Sequence, residues 1–272
     1  MAFVSLNGSH FPTDQPLITS DNRGFKYGDG FFETIKVQNG SIQLMKYHFD
    51  RIVKSAFVLK MDISHLKKQT LVNDILDLCN KNNCLQSSRV RVAFFRCEND
   101  KAEYIIEAFP YEENKMLNYS IDIYPDIKKP VDVLSNLKTA NYLPYILASL
   151  YARSKSLDDC LITNTKGNIC DSTKANVFII KNRVIRTPDL TEGCVDGTMR
   201  KYLIQKAKES NIEIIETEIT FDNILEADEV FLTNAIIGIQ SVTKCEQRIY
   251  SDLVTQQLYE KLFQPFDQLI VD

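Results

Sequence analysis

The chain has 272 residues, 44% of them hydrophobic, which is enough for a sizeable core and too many for intrinsic disorder as the main state. Thirty-two Lys+Arg against 36 Asp+Glu give a formal charge of −4 with no basic block, which excludes a large nucleic-acid footprint while allowing a local cationic pocket for a small anion. No apolar run reaches the roughly 18 residues of a spanning helix, and Met1–Asn7 has neither a basic n-region nor a signal core, so a cytoplasmic protein without membrane partners is expected.

In chain order, Phe3–Leu6 reads as a short strand and is followed by a Gly/Asp-rich turn. Phe31–Val37 and Ile42–Met45 flank Asn39-Gly40, a dipeptide suited to a tight hairpin because both central residues accept positive φ. Phe49, Ile52, Val53, Ala56 and Phe57 fall at helical spacing, as do Leu66, Leu71, Ile75 and Leu78, so two amphipathic helices follow. Val90/Val92/Phe94 and Tyr104–Phe109 form another pair of strands, and the polar stretch Glu112–Asn118 marks a domain boundary. The second half opens with a strand at Tyr119–Tyr124 and a helix after Pro144. Strands at Leu161–Thr163, Asn176–Ile180 and Val184–Arg186 come next, then a helix from near Gly197 with Tyr202, Leu203 and Ala207 on one face. Further strands at Ile212–Ile215 and Glu229–Leu232 precede a last helix over Leu253–Phe263. The fold class is α/β in a mixed, α+β sense, with residues 1–115 as an N-terminal domain and 119–272 as a C-terminal one. No internal repeat interrupts this pattern.

Several segments carry chemistry-bearing residues, though each alone has an ordinary structural reading. Arg23–Gly30 holds three glycines and an aspartate before a strand, and reads by itself as a turn; it matches neither a P-loop nor a dinucleotide fingerprint. Cys194–Arg200 leads into a helix whose first amides, at Thr198 and Met199, suit a phosphate, yet the segment also reads as an Asp/Gly helix start. Thr233-Asn234-Ala235 ends a strand, a usual place for ligand-binding loops. Lys138 is an ordinary surface charge unless burial lowers its pKa, when its neutral amine can form a Schiff base. The seven cysteines contain no C-x-x-C and the three histidines are dispersed, so neither a disulfide framework nor a metal centre is expected.

In this order the segments resemble the fold-type IV pyridoxal-phosphate enzymes, which include branched-chain and D-amino-acid aminotransferases and 4-amino-4-deoxychorismate lyases. Arg23–Thr34 (RGFKYGDGFFET) is similar to the family's first motif, and His48-Phe49-Asp50-Arg51-Ile52 to its H-x-x-R-L segment. Leu137–Tyr142 matches the Schiff-base lysine region and Thr163–Phe178 the region that holds the pyridine nitrogen. Gly193–Arg200 and Glu229–Val242 match two further phosphate anchors.

The resemblance implies a two-domain subunit of the D-amino-acid aminotransferase type, usually a homodimer, with pyridoxal 5'-phosphate in the cleft between domains. Lys138 is then the catalytic lysine, holding the cofactor as a Schiff base and moving protons. Arg51, the Thr198 and Met199 amides, the Thr198 hydroxyl and Asn234 hold the phosphate, while Tyr27 and Arg96 contact substrate. The chain departs from the family where Asp171 replaces the usual glutamate at the ring nitrogen, shortening the reach by roughly 1.5 Å. Cys97 replaces a glycine after Arg96, and Lys174 stands where the family often has a small residue.

Met199-Arg200, Ala175-Asn176 and Asn234-Ala235 resemble the lyase branch, which makes the leading expectation a lyase releasing pyruvate and 4-aminobenzoate for folate synthesis. The alternatives are a branched-chain or D-amino-acid aminotransferase, and a catalytically weak cofactor-binding protein.

Overall fold

The computed structural model describes residues 2–113 and 116–262. The chain divides into two units, Met1–Glu113 with Leu137–Asn141, and Asn114–Asn136 with Tyr142–Asp272.

In the first unit the strands are β1 (Phe3–Leu6), β2 (Ser9–Pro12), β3 (Gly30–Gln38), β4 (Ser41–Ile42), β5 (Ser87–Arg96) and β6 (Ala102–Pro110). They form one antiparallel sheet in the order β2-β1-β6-β5-β3-β4. The Asn39-Gly40 turn behaves as expected, with φ of 51° and 72° at its two residues and Val37 paired with Ile42. The second hairpin strand is shorter than its sequence suggested, because Leu44 takes a left-handed conformation (φ 57°) that turns the chain straight into a helix. The Gly/Asp-rich turn contains a short helix, α1 (Arg23–Tyr27), capped by the Asn22 side chain.

Helices α2 (Met45–Val58) and α3 (Lys68–Lys81) supply Ile52, Ala56, Leu71, Ile75 and Leu78 to a core shared with Phe31, Ile35, Val90, Val92 and Ile106 of the sheet. The period of α2 is the expected one but its phase is not. The buried face runs through His48, Arg51, Ile52, Ser55 and Ala56, whereas Phe57 is 83% exposed. Two strongly polar residues thus occupy inward positions that apolar side chains had been expected to fill, and they require partners there.

Leu137–Asn141 belongs with this unit, although its sequence position suggested the C-terminal domain. Its backbone is tied to the start of β3: the Phe32 N–H donates to the Lys138 carbonyl at 2.9 Å, and the Ala140 N–H to the Gly30 carbonyl at 2.9 Å.

The second unit contains β7 (Ser120–Ile123), α4 (Leu143–Ser154), β8 (Asp159–Thr163), β9 (Ile169–Ser172), β10 (Asn176–Lys181), β11 (Val184–Pro188) and α5 (Thr198–Glu209). It continues through β12 (Ile214–Thr217), α6 (Phe221–Glu226), β13 (Glu229–Asn234), β14 (Gly238–Val242), β15 (Lys244–Cys245), β16 (Arg248–Ile249) and α7 (Leu253–Leu262). The last helix was expected to include Phe263, which lies outside the described residues. One sheet has the order β12-β11-β10-β13-β14 and another β16-β15-β7-β8-β9. Val177, Ile179, Val230 and Leu232 pack with Ile121, Leu161 and Ile169 in one core, and Phe178 stacks on Phe231 with ring centroids 4.8 Å apart. Tyr145, Ala148 and Ala152 of α4 pack with Cys160, Ile162, Cys170 and Cys194 in another. Strands β8, β9, β10 and β13 are therefore buried along nearly their whole lengths.

Candidate functional site

The first unit assembles its polar groups around Glu33 on β3, which is fully buried. Arg51 from α2 grips this carboxylate with two parallel bonds, Nε to Oε1 at 2.7 Å and Nη2 to Oε2 at 2.6 Å. His48, one helical turn earlier, places Nδ1 2.6 Å from Oε2. Burial alone would push Glu33 up, but the Arg51 guanidinium and the bond from His48 hold it at about 2. Burial pushes His48 below its ordinary value, so its ring is neutral near pH 7 and donates from Nδ1. The i, i+3 spacing of His48 and Arg51 is what lets two side chains of one helix reach a single carboxylate. Lys138 is half-buried in the same unit, with Nζ 4.6 Å from the centroid of the Phe32 ring.

In the second unit the corresponding centre is Asp171, 2% exposed, on β9. Its Oδ2 accepts from Lys129 Nζ at 2.8 Å and from the Tyr145 hydroxyl at 2.9 Å. Its Oδ1 accepts from Asn176 Nδ2 at 3.2 Å, and the Val195 N–H lies within 3.2 Å of both oxygens. Burial and the adjacent carboxylate raise the Tyr145 phenol well above its ordinary value, so it stays protonated and donates. Asn176 also donates to the Val195 carbonyl at 2.7 Å, which ties Asp171 to the loop leading into α5.

That loop ends at Gly197, the N-cap of α5, where a Cβ would stand 1.9 Å from Asn176 Oδ1; only glycine allows the approach. A glycine cap brings no side chain to the helix start, and the N–H groups of Thr198 and Met199 have no carbonyl four residues back within the helix. Thr198 and Met199 are both buried. Thr233 pairs with Asn176 across the β10–β13 ladder, and its buried Oγ1 has no partner among the described residues.

The other expected site residues are placed differently. Asn234 uses its side-chain oxygen to accept from the Ile236 and Ile237 N–H groups at 2.9 and 3.0 Å, and its Nδ2 donates to the Lys174 carbonyl at 3.1 Å. It thus shapes the turn after β13. Tyr27 is 63% exposed at the end of α1, with the Arg23 guanidinium 5.2 Å from its ring centroid.

Arg96 does not match a role in gripping a substrate carboxylate, because all five of its N–H donors are engaged within the unit. Nε and Nη2 bind Asp29, Nη1 binds Asp100 and the Lys60 carbonyl, and Nη2 also binds the Leu59 carbonyl. Lys174 turns its ammonium toward the Tyr119 ring, 5.7 Å from the centroid.

Sequence reasoning missed Glu33, Lys129, Tyr145 and Asn176 as parts of these centres. A signal existed for the first two: a charged residue inside the apolar run of β3, and a lysine next to a proline ahead of the Lys138 segment.

Pyridoxal phosphate presents a phosphate, an aldehyde and a ring nitrogen. The orphaned Thr233 hydroxyl and the side-chain-free start of α5 suit a phosphate, and Lys138 suits the aldehyde. Asp171 suits a ring N–H, although four donors already hold it. No helix among the described residues is long and apolar enough to cross a membrane.

A Methanocaldococcus jannaschii protein provisionally named a branched-chain-amino-acid aminotransferase is 28% identical over 98% of this chain and 96% of its own. The Bacillus subtilis aminodeoxychorismate lyase is 26% identical over 91% of this chain and 88% of its own. Among solved structures, the branched-chain aminotransferase of Thermoproteus uzoniensis with norvaline superposes with a TM-score of 0.90 at 21% identity, over 98% of this chain and 95% of that one. The class IV amino-transferase family model matches residues 30–245, which span β3 with Glu33, Arg51, Lys138, Asp171 and the start of α5. The chain therefore belongs to the class IV aminotransferases, enzymes that work with pyridoxal phosphate.

Proposed function

We propose that this enzyme is a 4-amino-4-deoxychorismate lyase, acting in the cytoplasm as a homodimer and releasing pyruvate and 4-aminobenzoate. Lys138 would hold the cofactor aldehyde through Nζ and, with substrate bound, would take the proton from the ring carbon that bears the reacting amine. The C–O bond to the enolpyruvyl group then breaks, and the departing fragment gains a proton to become pyruvate. No oxidant or amino acceptor is consumed. Pyridoxal phosphate supplies the electron-withdrawing ring that makes the proton acidic. Arg51, aimed by Glu33, would hold the phosphate together with the Thr198 and Met199 amides and the Thr198 hydroxyl. Asp171 faces the ring nitrogen.

The observation that carries the choice of reaction is Arg96. The amino-acid substrate of a transaminase has a carboxylate beside the reacting amine, and the arginine expected to meet it has no N–H left to give. Aminodeoxychorismate carries its reacting amine on a ring carbon with no carboxylate attached there. The Bacillus subtilis relative supports the same reading. The homodimer is supported by α4, whose Leu143, Ile146, Leu147 and Leu150 form an exposed apolar stripe at i, i+3, i+4 and i+7.

A transaminase reading is favoured by the Methanocaldococcus jannaschii relative, and one experiment separates the two. Holoenzyme is given aminodeoxychorismate, generated in place by its synthase, with no oxo acid present. Equal, Lys138-dependent release of 4-aminobenzoate and pyruvate is expected. If neither appears while an amino acid alone converts the cofactor to its amine form, the lyase reading is wrong and the transaminase stands.

A further inference from the structure

The buried pair Lys129–Asp171 is the feature that this function leaves unexplained. Lys129 is 7% exposed, and its ammonium lies 2.8 Å from Asp171 Oδ2 and 5.3 Å from the centroid of the Tyr145 ring. It is fixed from both sides of its own backbone: its N–H donates to the Thr163 carbonyl at 2.8 Å, and its carbonyl accepts from the Thr165 N–H at 3.1 Å. The side chain is thus anchored beside β8 and presented to β9, unlike a lysine swinging from a surface loop.

A carboxylate has about four acceptor positions. Lys129, Tyr145, Asn176 and Val195 already draw on those of Asp171, and one of the four is a full positive charge. A ring N–H facing Asp171 must share that carboxylate with the ammonium, and a pyridinium close to a second cation is disfavoured. The shorter reach of aspartate adds to the effect by keeping the carboxylate back on its own strand. Other titratable groups nearby include Tyr142, stacked on Tyr145, and the Cys170 and Cys194 thiols, both pushed up by burial and by Asp171 and therefore uncharged near pH 7.

We infer that Lys129 is a positioning residue that competes with the cofactor's ring nitrogen for Asp171, so that this enzyme holds the ring nitrogen less protonated than an unpaired carboxylate would. The inference rests on Asp171 facing that nitrogen. Its consequence is a weaker electron sink, suited to a reaction in which a good leaving group departs and an aromatic product forms.

The test uses holoenzyme loaded with pyridoxal phosphate labelled with nitrogen-15 in the ring, whose chemical shift reads protonation directly. Wild type, Lys129→Met, Lys129→Arg and Asp171→Ala are compared at equal cofactor loading. Lys129→Met is expected to raise the ratio of protonated to unprotonated ring nitrogen by at least about tenfold. Lys129→Arg should stay near wild type, because it restores the charge. A loaded Lys129→Met with an unmoved shift overturns the inference, and so does a wild-type nitrogen that is already fully protonated, a result that needs no variant to fold. Asp171→Ala separates the layers: if it too leaves the shift unmoved, Asp171 does not face the ring and the underlying site reading has failed. If it moves the shift while Lys129→Met does not, only the role of Lys129 is lost.

Discussion

Glu33 in the first unit and Asp171 in the second are both carboxylates withdrawn from water, and each faces one cation with neutral donors beside it. The geometry of the two cations differs. Arg51 meets Glu33 as a planar fork with two parallel bonds of 2.7 and 2.6 Å, a match that fixes the guanidinium in orientation as well as in position. Lys129 meets Asp171 as a point charge through one bond of 2.8 Å, and three neutral donors supply the remaining constraint. In the first unit the carboxylate serves to aim the cation. In the second, the cation and its companions serve to hold the carboxylate. The two acids are similar in chemistry and burial, and what surrounds each determines whether it is the tool or the holder.

The largest effect expected from this contrast is at neither acid. Lys138→Ala removes the amine proposed to bind the aldehyde and move the proton, and a loss of at least about 10³-fold in turnover is expected. Borohydride reduction followed by mass spectrometry of the peptide containing residue 138 should find the cofactor attached in wild type and absent in the variant. Attachment elsewhere would break the assignment.

The acids themselves come next. Glu33→Gln leaves the Arg51 guanidinium buried without its counter-charge, and a loss of about 3–5 kcal/mol in unfolding free energy is expected from denaturant titration. Asp171→Asn should cost less, because Lys129 is held by a single bond and the neutral donors can re-pair. Equal losses would erase the distinction drawn between the two centres. A pH series sharpens it. Glu33 sits at about 2 in the folded chain against an ordinary 4.5, so its contribution is fully present above about 4.5 and disappears as pH falls toward 2. That limb, roughly 3 kcal/mol deep, should flatten in Glu33→Gln. His48, held below its ordinary 6.5 by burial, removes further stability as pH drops below that value, because the unfolded chain takes up the proton first.

The parts of these centres that could be read from residue order alone were those with local rules. Asn39-Gly40 forms its hairpin because the turn depends on two residues, and α5 begins at Thr198 because Gly197 and the apolar spacing after it are local signals. Lys138 became visible only through the company of other motifs, since a lone lysine is usually solvated. β9 was not legible: Ile169, Cys170, Asp171 and Ser172 are all buried, so no alternation marks the strand, and an acid in its middle looks like a loop. The phase of α2 failed for a related reason. His48 and Arg51 face inward because Glu33, fifteen or more residues away, satisfies them, and nothing in the helix itself announces that partner.

Gly197→Ala tests the tightest contact in the second unit. The added Cβ collides with Asn176 Oδ1 at 1.9 Å, so Asn176 must move, and with it the bonds to Asp171 and to the Val195 carbonyl. A stability loss of about 1–3 kcal/mol is expected, together with weaker cofactor binding, both measurable by thermal unfolding with and without pyridoxal phosphate. An unchanged affinity would mean that the loop ahead of α5 can shift without disturbing the phosphate.

The smallest effect is expected at Thr198, where one hydroxyl can be removed without disturbing the backbone. Thr198→Ala leaves the first amides of α5 in place, and alanine is at least as good a helix former as threonine, so the fold should be nearly unaffected. What is lost is one hydrogen bond to a charged phosphate, about 1.5 to 3 kcal/mol if the hydroxyl donates to it, or roughly ten- to a hundredfold in cofactor affinity. Thr198→Ser should restore most of that. Spectrophotometric titration of apoenzyme with pyridoxal phosphate reads all three constants. If alanine and serine bind the cofactor as tightly as threonine does, the Thr198 hydroxyl is not a phosphate donor and the backbone amides are what this helix start has to offer.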